Sequence, residues 1–300
     1  MANEKYINYR LWITRLIFIE KNKKKKLAKK IFIFEKSKKN LSKIKKLKLP
    51  GIIIKKPEDV MSEINMIIFC TPMSEYKKII LKLNKFLTKN HIITDIGSSK
   101  SNSLKVVNKN LKKNISWISS HPIAGSEVSG PEHGKQDLFE GKWCVLIKDK
   151  KTNFKHLKLV DSFWKKMGSK TVLMSPTKHD KIFSITSHLP HLIAYNLVKT
   201  AQTFEKKQKH DLIKFSAGGL RDFSRIAASN EVMWRDIFFD NKTNVSKAIN
   251  LFIKNLNEFK KDINSKNNKS IIKKLIQTKK VRSQIIKLKQ DINLPNFGRD

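Results

Sequence analysis

The chain has 300 residues, of which 39% are hydrophobic, and it carries a formal net charge of +39 at pH 7. This length predicts about two domains, and the apolar content is sufficient for folded cores, which excludes a disordered polymer. No run approaches the roughly 18 to 20 apolar residues that span a bilayer, because the apolar segment 11–19 is short and contains Arg15. We therefore expect a soluble protein with no membrane partner.

The chain has only two cysteines, Cys70 and Cys144. Two are too few for a disulfide framework or, on their own, for a tetrahedral metal site, and the histidines do not fall at zinc spacing. We therefore expect no metal site and a cytoplasmic location.

The basic residues are mostly lysine. Seven of the 64 are arginine, which leaves 57 lysines, and the chain is also rich in Ile and Asn, as adenine- and thymine-rich codons would produce. Such a coding bias explains the charge better than a nucleic-acid surface does, so we expect no nucleic-acid partner. A basic nucleic-acid-binding protein remains an alternative, which steep salt-dependent DNA binding would identify. The few arginines are informative because their planar group binds carboxylates in two-point geometry.

Short β-rich runs alternate with helical stretches through the first half of the chain. Because parallel strands need helical returns, the alternation predicts a parallel sheet with crossover helices. From about Ser175 the pattern changes to long helical periodicity, including an amphipathic packing helix over 270–289. The predicted strands are 30–35, 66–70, 91–96, 116–119, 142–147 and 170–174.

The apolar run that begins at Ile31 ends in a carboxylate, Glu35. A dinucleotide-binding fold places at this point the carboxylate that accepts hydrogen bonds from the adenosine ribose. A surface strand can also end in Glu, and neighbouring lysines could instead favour a 2′-phosphate. We expect NAD as the cofactor, with NADP as the alternative.

Two later strands run into small-residue turns, which contain Thr71 and Pro72 in one case and Asp95 and Gly97 in the other. Turns at the carboxyl ends of parallel strands are where open α/β sheets bind ligands, although Gly and Ser can also serve the turn alone. We predict these four residues as cofactor-binding. His121 follows, between a short apolar strand and a glycine turn, where an imidazole is well placed as a general base or hydrogen-bond acceptor.

Several long motifs resemble the prephenate and arogenate dehydrogenases of tyrosine biosynthesis, in order and in spacing. The resemblance covers about residue 21 to the C-terminus. It rests on Asp95-Ile-Gly-Ser-Ser-Lys100, His121-Pro-Ile-Ala-Gly-Ser-Glu127, Ser187-His188-Leu-Pro-His191, Gly218-Gly-Leu-Arg-Asp-Phe-Ser-Arg225-Ile-Ala and Trp234-Arg-Asp-Ile237.

The resemblance implies a doubly wound, Rossmann-type dinucleotide-binding domain over 1–173, N-terminally incomplete, followed by an all-helical substrate and dimerisation domain over 174–300. It implies NAD(P)-dependent oxidative decarboxylation of prephenate to 4-hydroxyphenylpyruvate, or of arogenate to tyrosine, by a homodimer. The alternative is a catalytically impaired relative that acts as a ligand-binding or regulatory protein.

The resemblance also implies roles for residues. His121 would polarise or deprotonate the substrate hydroxyl, and Ser98 would form a hydrogen bond with the same oxygen. Arg225 would bind a substrate carboxylate. We expect Trp234 to serve in packing rather than in catalysis. The remaining substrate-binding candidates are Ser126 and His188, which would line the pocket, and Glu127, Arg221 and Asp222, which would lie at its mouth.

The chain departs from the family at its start, where a Gly-x-Gly-x-x-Gly turn is expected, because it has no glycine before Gly51. Only glycine lets the backbone amides approach a pyrophosphate closely. If Tyr9 to Glu20 are translated one base onward with permissible codons, they give Ile-Gly-Tyr-Gly-Leu-Leu-Gly-Ser-Ser-Leu-Leu. A frame-shifted glycine loop is therefore one hypothesis, and a divergent loop or a lost cofactor site are the others.

Overall fold

The computed structural model describes residues 6–8, 28–48, 51–125, 130–134, 137–208 and 211–291, with 6–8 described by their backbone alone. Eight strands form one sheet with the order β3-β2-β1-β4-β5-β6-β7-β8. The strands are β1 (Tyr6–Asn8), β2 (Ile31–Ile33), β3 (Ile52–Ile53), β4 (Met66–Phe69), β5 (Ile92–Asp95), β6 (Ser116–Pro122), β7 (Trp143–Ile147) and β8 (Lys170–Met174).

Strand β1 lies in the middle of the sheet and pairs in parallel with β2 on one side and β4 on the other. The strand order reverses at β1, and this reversal is the place where open α/β sheets bind ligands beyond the carboxyl ends of their strands. The sequence did not predict β1 or β3.

Strand β7 departs from the predicted parallel sheet. It runs antiparallel to β6, with His121 opposite Val145, whereas β8 runs parallel to β7. The described part of the β6–β7 connection contains only a short 3-10 turn, Pro131–His133. A parallel return needs a longer crossover, such as the helix Phe154–Lys166 that joins β7 to β8.

Ten helices are described, and those after β8 form the all-helical region that the sequence predicted. A π-helical turn, Ser184–His188, joins the fifth helix to the sixth. The helices are α1 (Lys38–Lys46), α2 (Tyr76–Leu83), α3 (Ser101–Asn110), α4 (Phe154–Lys166), α5 (Pro176–Phe183), α6 (Leu189–Gln208), α7 (Gly218–Ala227), α8 (Glu231–Asp240), α9 (Lys242–Asn264) and α10 (Asn268–Lys287). Within the described ranges, no helix has the length and apolarity that crossing a membrane requires.

The sheet is buried on both faces, as the alternating side chains of β4 show. Ile67 and Phe69 pack into a core that includes Tyr76 of α2. Ile68 packs on the opposite face in a core with Trp164 of α4. Because both faces are covered, the central strands are continuous apolar runs, which explains why the sequence located them correctly.

The chain forms two compact units, Met1–Val245 and Ser246–Asp300. The predicted boundary between residues 173 and 174 does not coincide with this division, and it remains a prediction. The second unit contains α10, the predicted amphipathic helix. Large apolar side chains of this unit are exposed in the single chain, among them Leu251, Leu256, Ile263, Leu275, Val281 and Leu288.

Candidate active site

A buried ion pair organises the turn that follows β5. The Asp95 carboxylate accepts hydrogen bonds at Oδ2 from Lys100 Nζ at 2.7 Å, from the Tyr76 hydroxyl at 3.0 Å and from the Gly97 backbone N–H at 3.0 Å. Lys100 Nζ also donates to the Ser120 carbonyl at 2.7 Å. These bonds join the end of β5 to β6 immediately before His121.

Gly97 is required by crowding within this turn. A Cβ atom at this position would lie 2.9 Å from Asp95 Oδ2, 2.9 Å from the Tyr76 hydroxyl and 3.1 Å from Met73 Cγ. Such distances are shorter than normal contacts, so a side chain would displace the ion pair. The next residue, Ser98, is half-buried. The turn therefore sets the position of Ser98.

His121 lies on β6, is largely buried, and belongs to a chain of three polar side chains. Its Nδ1 lies 2.8 Å from His179 Nε2, and His179 Nδ1 lies 2.8 Å from Asp180 Oδ1. Burial lowers the pKa of His121 well below its ordinary value, and the neighbouring His179 and Lys100 lower it further. Burial also lowers the pKa of His179, although Asp180 opposes this change. Both imidazoles are therefore neutral at pH 7.

Asp180 anchors this chain of side chains to the start of α3. Its two carboxylate oxygens accept the backbone N–H groups of Lys100 and Ser101, each at 2.8 Å. Burial raises the pKa of Asp180, but the hydrogen bonds from His179 and Ser101 outweigh burial, and the net pKa is lowered. A carboxylate at a helix N-terminus is further stabilised by the helix dipole. Asp180 is therefore a fixed anion.

His188 lies in the π-helical turn. Asn241 Nδ2 donates to the Asp180 carbonyl at 2.8 Å and lies 3.1 Å from His188 Nδ1. Burial lowers the pKa of His188 to about 4, and the neighbouring His179 lowers it further. Asp180 and, to a smaller extent, the nearby Ser98 backbone oppose this change. His188 Nε2 is buried and makes no hydrogen bond of normal geometry among the described residues.

The structure thus brings five of the predicted site residues into one region, which we call the His121 cluster. These predicted members are Asp95, Gly97, Ser98, His121 and His188. The cluster has four further members that the sequence did not identify: His179, Asp180, Asn241 and Lys100.

Trp234 is buried, and its ring stacks on that of His191 at 3.8 Å between centroids, which agrees with the predicted packing role.

Other predicted residues lie elsewhere in the chain. Arg221 and Asp222 are exposed and Arg225 is half-buried on α7, which packs on α6. Ser126 and Glu127 lie outside the described residues, as does the segment from Tyr9 to Glu20 that the glycine-loop hypothesis concerns.

The predicted cofactor residues Glu35, Thr71 and Pro72 are buried where β2 and β4 end, on the two sides of β1. Glu35 Oε1 accepts the Ser37 N–H at 2.7 Å. The Thr71 hydroxyl is buried and has no hydrogen-bond partner among the described residues. An acid after β2 and an unsatisfied hydroxyl after β4 fit a dinucleotide bound across the strand-order reversal.

Two family models match the chain. The prephenate dehydrogenase nucleotide-binding domain matches residues 20–173. The prephenate dehydrogenase dimerization domain matches residues 175–277. The first match begins at residue 20, so most of the segment without glycine precedes it.

Individual relatives agree with these models. The chain is 31% identical to the cyclohexadienyl dehydrogenase of Zymomonas mobilis over 225 residues, 75% of this chain and 76% of the relative. It is 30% identical to the prephenate dehydrogenase of Lactococcus lactis over 252 residues, 82% of this chain and 68% of the relative. The solved prephenate dehydrogenase of Aquifex aeolicus, in complex with hydroxyphenyl propionate and NAD+, matches with a TM-score of 0.88 at 32% identity over 95% of this chain and 99% of that one. The chain therefore belongs to the prephenate dehydrogenase family.

Proposed function

We propose that this protein catalyses the NAD-dependent oxidative decarboxylation of prephenate or arogenate. The observation that carries the proposal is His121, a buried and neutral imidazole held 2.8 Å from His179 in a fold that matches an NAD+ complex of a prephenate dehydrogenase. The named relatives are dehydrogenases, so the alternative of a ligand-binding or regulatory protein is not favoured.

The reaction removes a hydride from the ring carbon that bears the hydroxyl and releases carbon dioxide as the ring becomes aromatic. NAD, when bound, supplies the hydride acceptor. His121 accepts the hydroxyl proton, and a neutral imidazole is the form that is able to do so. Ser98 donates a hydrogen bond to the same oxygen and thereby orients it. The short turn between Asp95 and Lys100 fixes Ser98 for this role.

The substrate carboxylates require cationic partners. Arg225 provides a planar guanidinium that is suited to a carboxylate. His188 would line the pocket, as would Ser126, which is assigned from the family's motif. His188 Nε2 is buried and makes no hydrogen bond of normal geometry among the described residues. Glu127, Arg221 and Asp222 contribute charges at the pocket mouth.

The cofactor would be held by residues at the carboxyl ends of the strands. Glu35 would receive the adenosine ribose, and Thr71 and Pro72 would contact the dinucleotide beside β1. Gly97, in the turn after β5, would contact the dinucleotide through its backbone. Because Asp95 is fully buried, we assign it to shaping this turn. Glu35 supports NAD, and exposed Lys36, beside it, keeps NADP as the alternative.

We further propose that the protein is a homodimer with the dinucleotide-binding domain over 1–173 and the helical domain over 174–300. The matched dimerization domain supports this assembly. So do the exposed apolar side chains of α9 and α10, because a second copy would remove them from water. Cys70 and Cys144 are both buried, and a chain with only two cysteines is typical of the reducing cytoplasm, so we propose a cytoplasmic location.

The test of the activity is NADH formation with prephenate and, separately, with arogenate. His121→Ala should lower kcat by about 10² to 10⁴-fold, the usual contribution of a positioned base. His156→Ala on α4 is the control and should retain the natural rate. Equal rates for His121→Ala and the natural protein would remove His121 from the mechanism.

The carboxylate assignment has its own test. Arg225→Lys keeps the charge but loses the two-point geometry, so KM should rise by about tenfold, which corresponds to roughly 1.4 kcal/mol. An unchanged KM for both substrates would contradict the role of Arg225.

A further inference from the structure

The hydrogen bonds around His179 determine where the protons lie. An ionised carboxylate only accepts hydrogen bonds, so the 2.8 Å contact between Asp180 Oδ1 and His179 Nδ1 places a proton on that Nδ1. Neutral His179 then has a lone pair on Nε2. This lone pair faces His121 Nδ1 at 2.8 Å, so His121 Nδ1 must carry the proton and donate it.

The same reasoning fixes the other ring nitrogen of His121. A neutral imidazole with a proton on Nδ1 has an unprotonated Nε2. This nitrogen is a base, whereas the opposite tautomer would present an N–H group and could not accept a proton. Thus the geometry from Asp180 through His179 keeps His121 in the form that is able to accept a hydroxyl proton.

Asp180 is itself held in place by the backbone. It accepts the N–H groups of Lys100 and Ser101 at the first turn of α3, and this α-helix has ten residues. The arrangement therefore consists of a fixed anion, Asp180, a neutral imidazole, His179, and a base, His121. The nearby ionisable groups are Lys100, Asp95 and His188, of which Lys100 is paired with Asp95.

We propose that His179 is a positioning residue of the reaction, which selects the Nδ1–H tautomer of His121 and, through Asp180, stabilises the cation that His121 becomes. The catalytic part of this inference rests on the proposed function. In that step the substrate O–H bond breaks and an N–H bond forms at His121 Nε2. The hydrogen bond that His121 Nδ1–H donates to His179 Nε2 becomes stronger. No further reactant is needed for the step.

Two matched substitutions separate this role from simple packing. In His179→Gln, the side-chain oxygen reaches the place of the lost Nε2 and accepts the His121 Nδ1–H. In His179→Asn, the shorter side chain has no acceptor there. Both are polar and uncharged, so they differ chiefly in the hydrogen bond to His121.

The first measurement is the tautomer of His121 by ¹⁵N NMR of the ring nitrogens, without substrate or cofactor. We expect the Nδ1–H form in the natural protein and in His179→Gln, and a substantial Nε2–H population in His179→Asn. The same tautomer in the Gln and Asn variants, or loss of the Nδ1–H form in the Gln variant, would overturn the proposal. Because no turnover is needed, failure of the proposed function would leave this result intact.

The second measurement is the kinetic effect. In His179→Asn, kcat should fall by about 10² to 10⁴-fold with KM nearly unchanged, since a wrong histidine tautomer costs up to roughly 10⁴ in a catalytic triad. In His179→Gln, kcat should be at least tenfold higher than in His179→Asn. Equal kcat values for the Gln and Asn variants, with different His121 tautomers, would show that the tautomer does not govern the rate and would contradict the catalytic part.

Discussion

Lys100 Nζ lies 2.7 Å from Asp95 Oδ2, and neither side chain is exposed to solvent. A buried ion pair is costly to form but still more costly to break, because the remaining partner keeps its charge without compensation. This pair lies at the end of β5, joins the turn that carries Gly97 and Ser98, and reaches the carbonyl of Ser120. It therefore connects the stability of the sheet to the geometry around His121.

Removal of the lysine charge should destabilise the protein strongly. Lys100→Met leaves Asp95 buried without a counter-ion, and we expect the free energy of unfolding to fall by about 3 to 5 kcal/mol. Urea unfolding measures this change. Lys105→Met, at an exposed position of α3, is the control and should change the free energy of unfolding by less than about 0.5 kcal/mol. Similar losses for the two variants would refute the structural role of the pair.

A methyl group at Gly97 should also be costly. The Cβ of Gly97→Ala would meet Asp95 Oδ2 and the Tyr76 hydroxyl, each at 2.9 Å, so we expect a loss of roughly 1 to 3 kcal/mol from overpacking. Gly219→Ala is the matched control because its Cβ would meet nothing within 4 Å. Thermal unfolding of both variants tests this point, and a Gly97→Ala protein as stable as the Gly219→Ala protein would be inconsistent with the described turn.

The buried histidines should make stability depend on pH. The pKa of His188 is lowered from 6.5 to about 4, so between these values the unfolded chain binds a proton that the folded chain does not. The stabilisation is complete above pH 6.5 and is lost as the pH falls. From pH 7 to pH 5 the loss should be about 2 kcal/mol for His188 alone, and His121 and His179 act in the same direction.

Urea unfolding at the two pH values measures this loss. His188→Asn should lose about 2 kcal/mol less stability between pH 7 and pH 5 than the natural protein does, because asparagine does not titrate. His133→Asn, at an exposed position, is the control and should retain the pH dependence of the natural protein. If His188→Asn and the natural protein lost equal stability, His188 would not be a neutral buried group.

The segment from Tyr9 to Glu20 should limit cofactor affinity. We expect a segment without glycine to keep backbone N–H groups from approaching a pyrophosphate closely, and the loss of one or two such charge-assisted hydrogen bonds costs about 1.5 to 3 kcal/mol each. Replacement of the segment by Ile-Gly-Tyr-Gly-Leu-Leu-Gly-Ser-Ser-Leu-Leu should therefore tighten NAD binding by at least roughly tenfold. Calorimetric titration measures the affinity. Equal affinities would show that the natural segment binds the cofactor in another way.

The sequence located β4 and β5 well, because strands buried on both faces are unbroken apolar runs. It could not give the direction of β7, which depends on the connection from β6. His121 was predictable from its position before a glycine turn. His179 was not, because its contact with His121 joins residues 58 positions apart. The adjacent pair His179-Asp180, just after the proline that starts α5, was the available signal.

The most direct test of the central claim measures NADH and carbon dioxide together from prephenate and from arogenate. The natural chain and the chain with the glycine segment should be assayed side by side, each with its His121→Ala variant. We predict one molecule of carbon dioxide per NADH with at least one substrate, the faster rate in the glycine-containing chain, and loss of both products in His121→Ala. NADH without carbon dioxide, or no turnover of either substrate by either chain, would contradict the account.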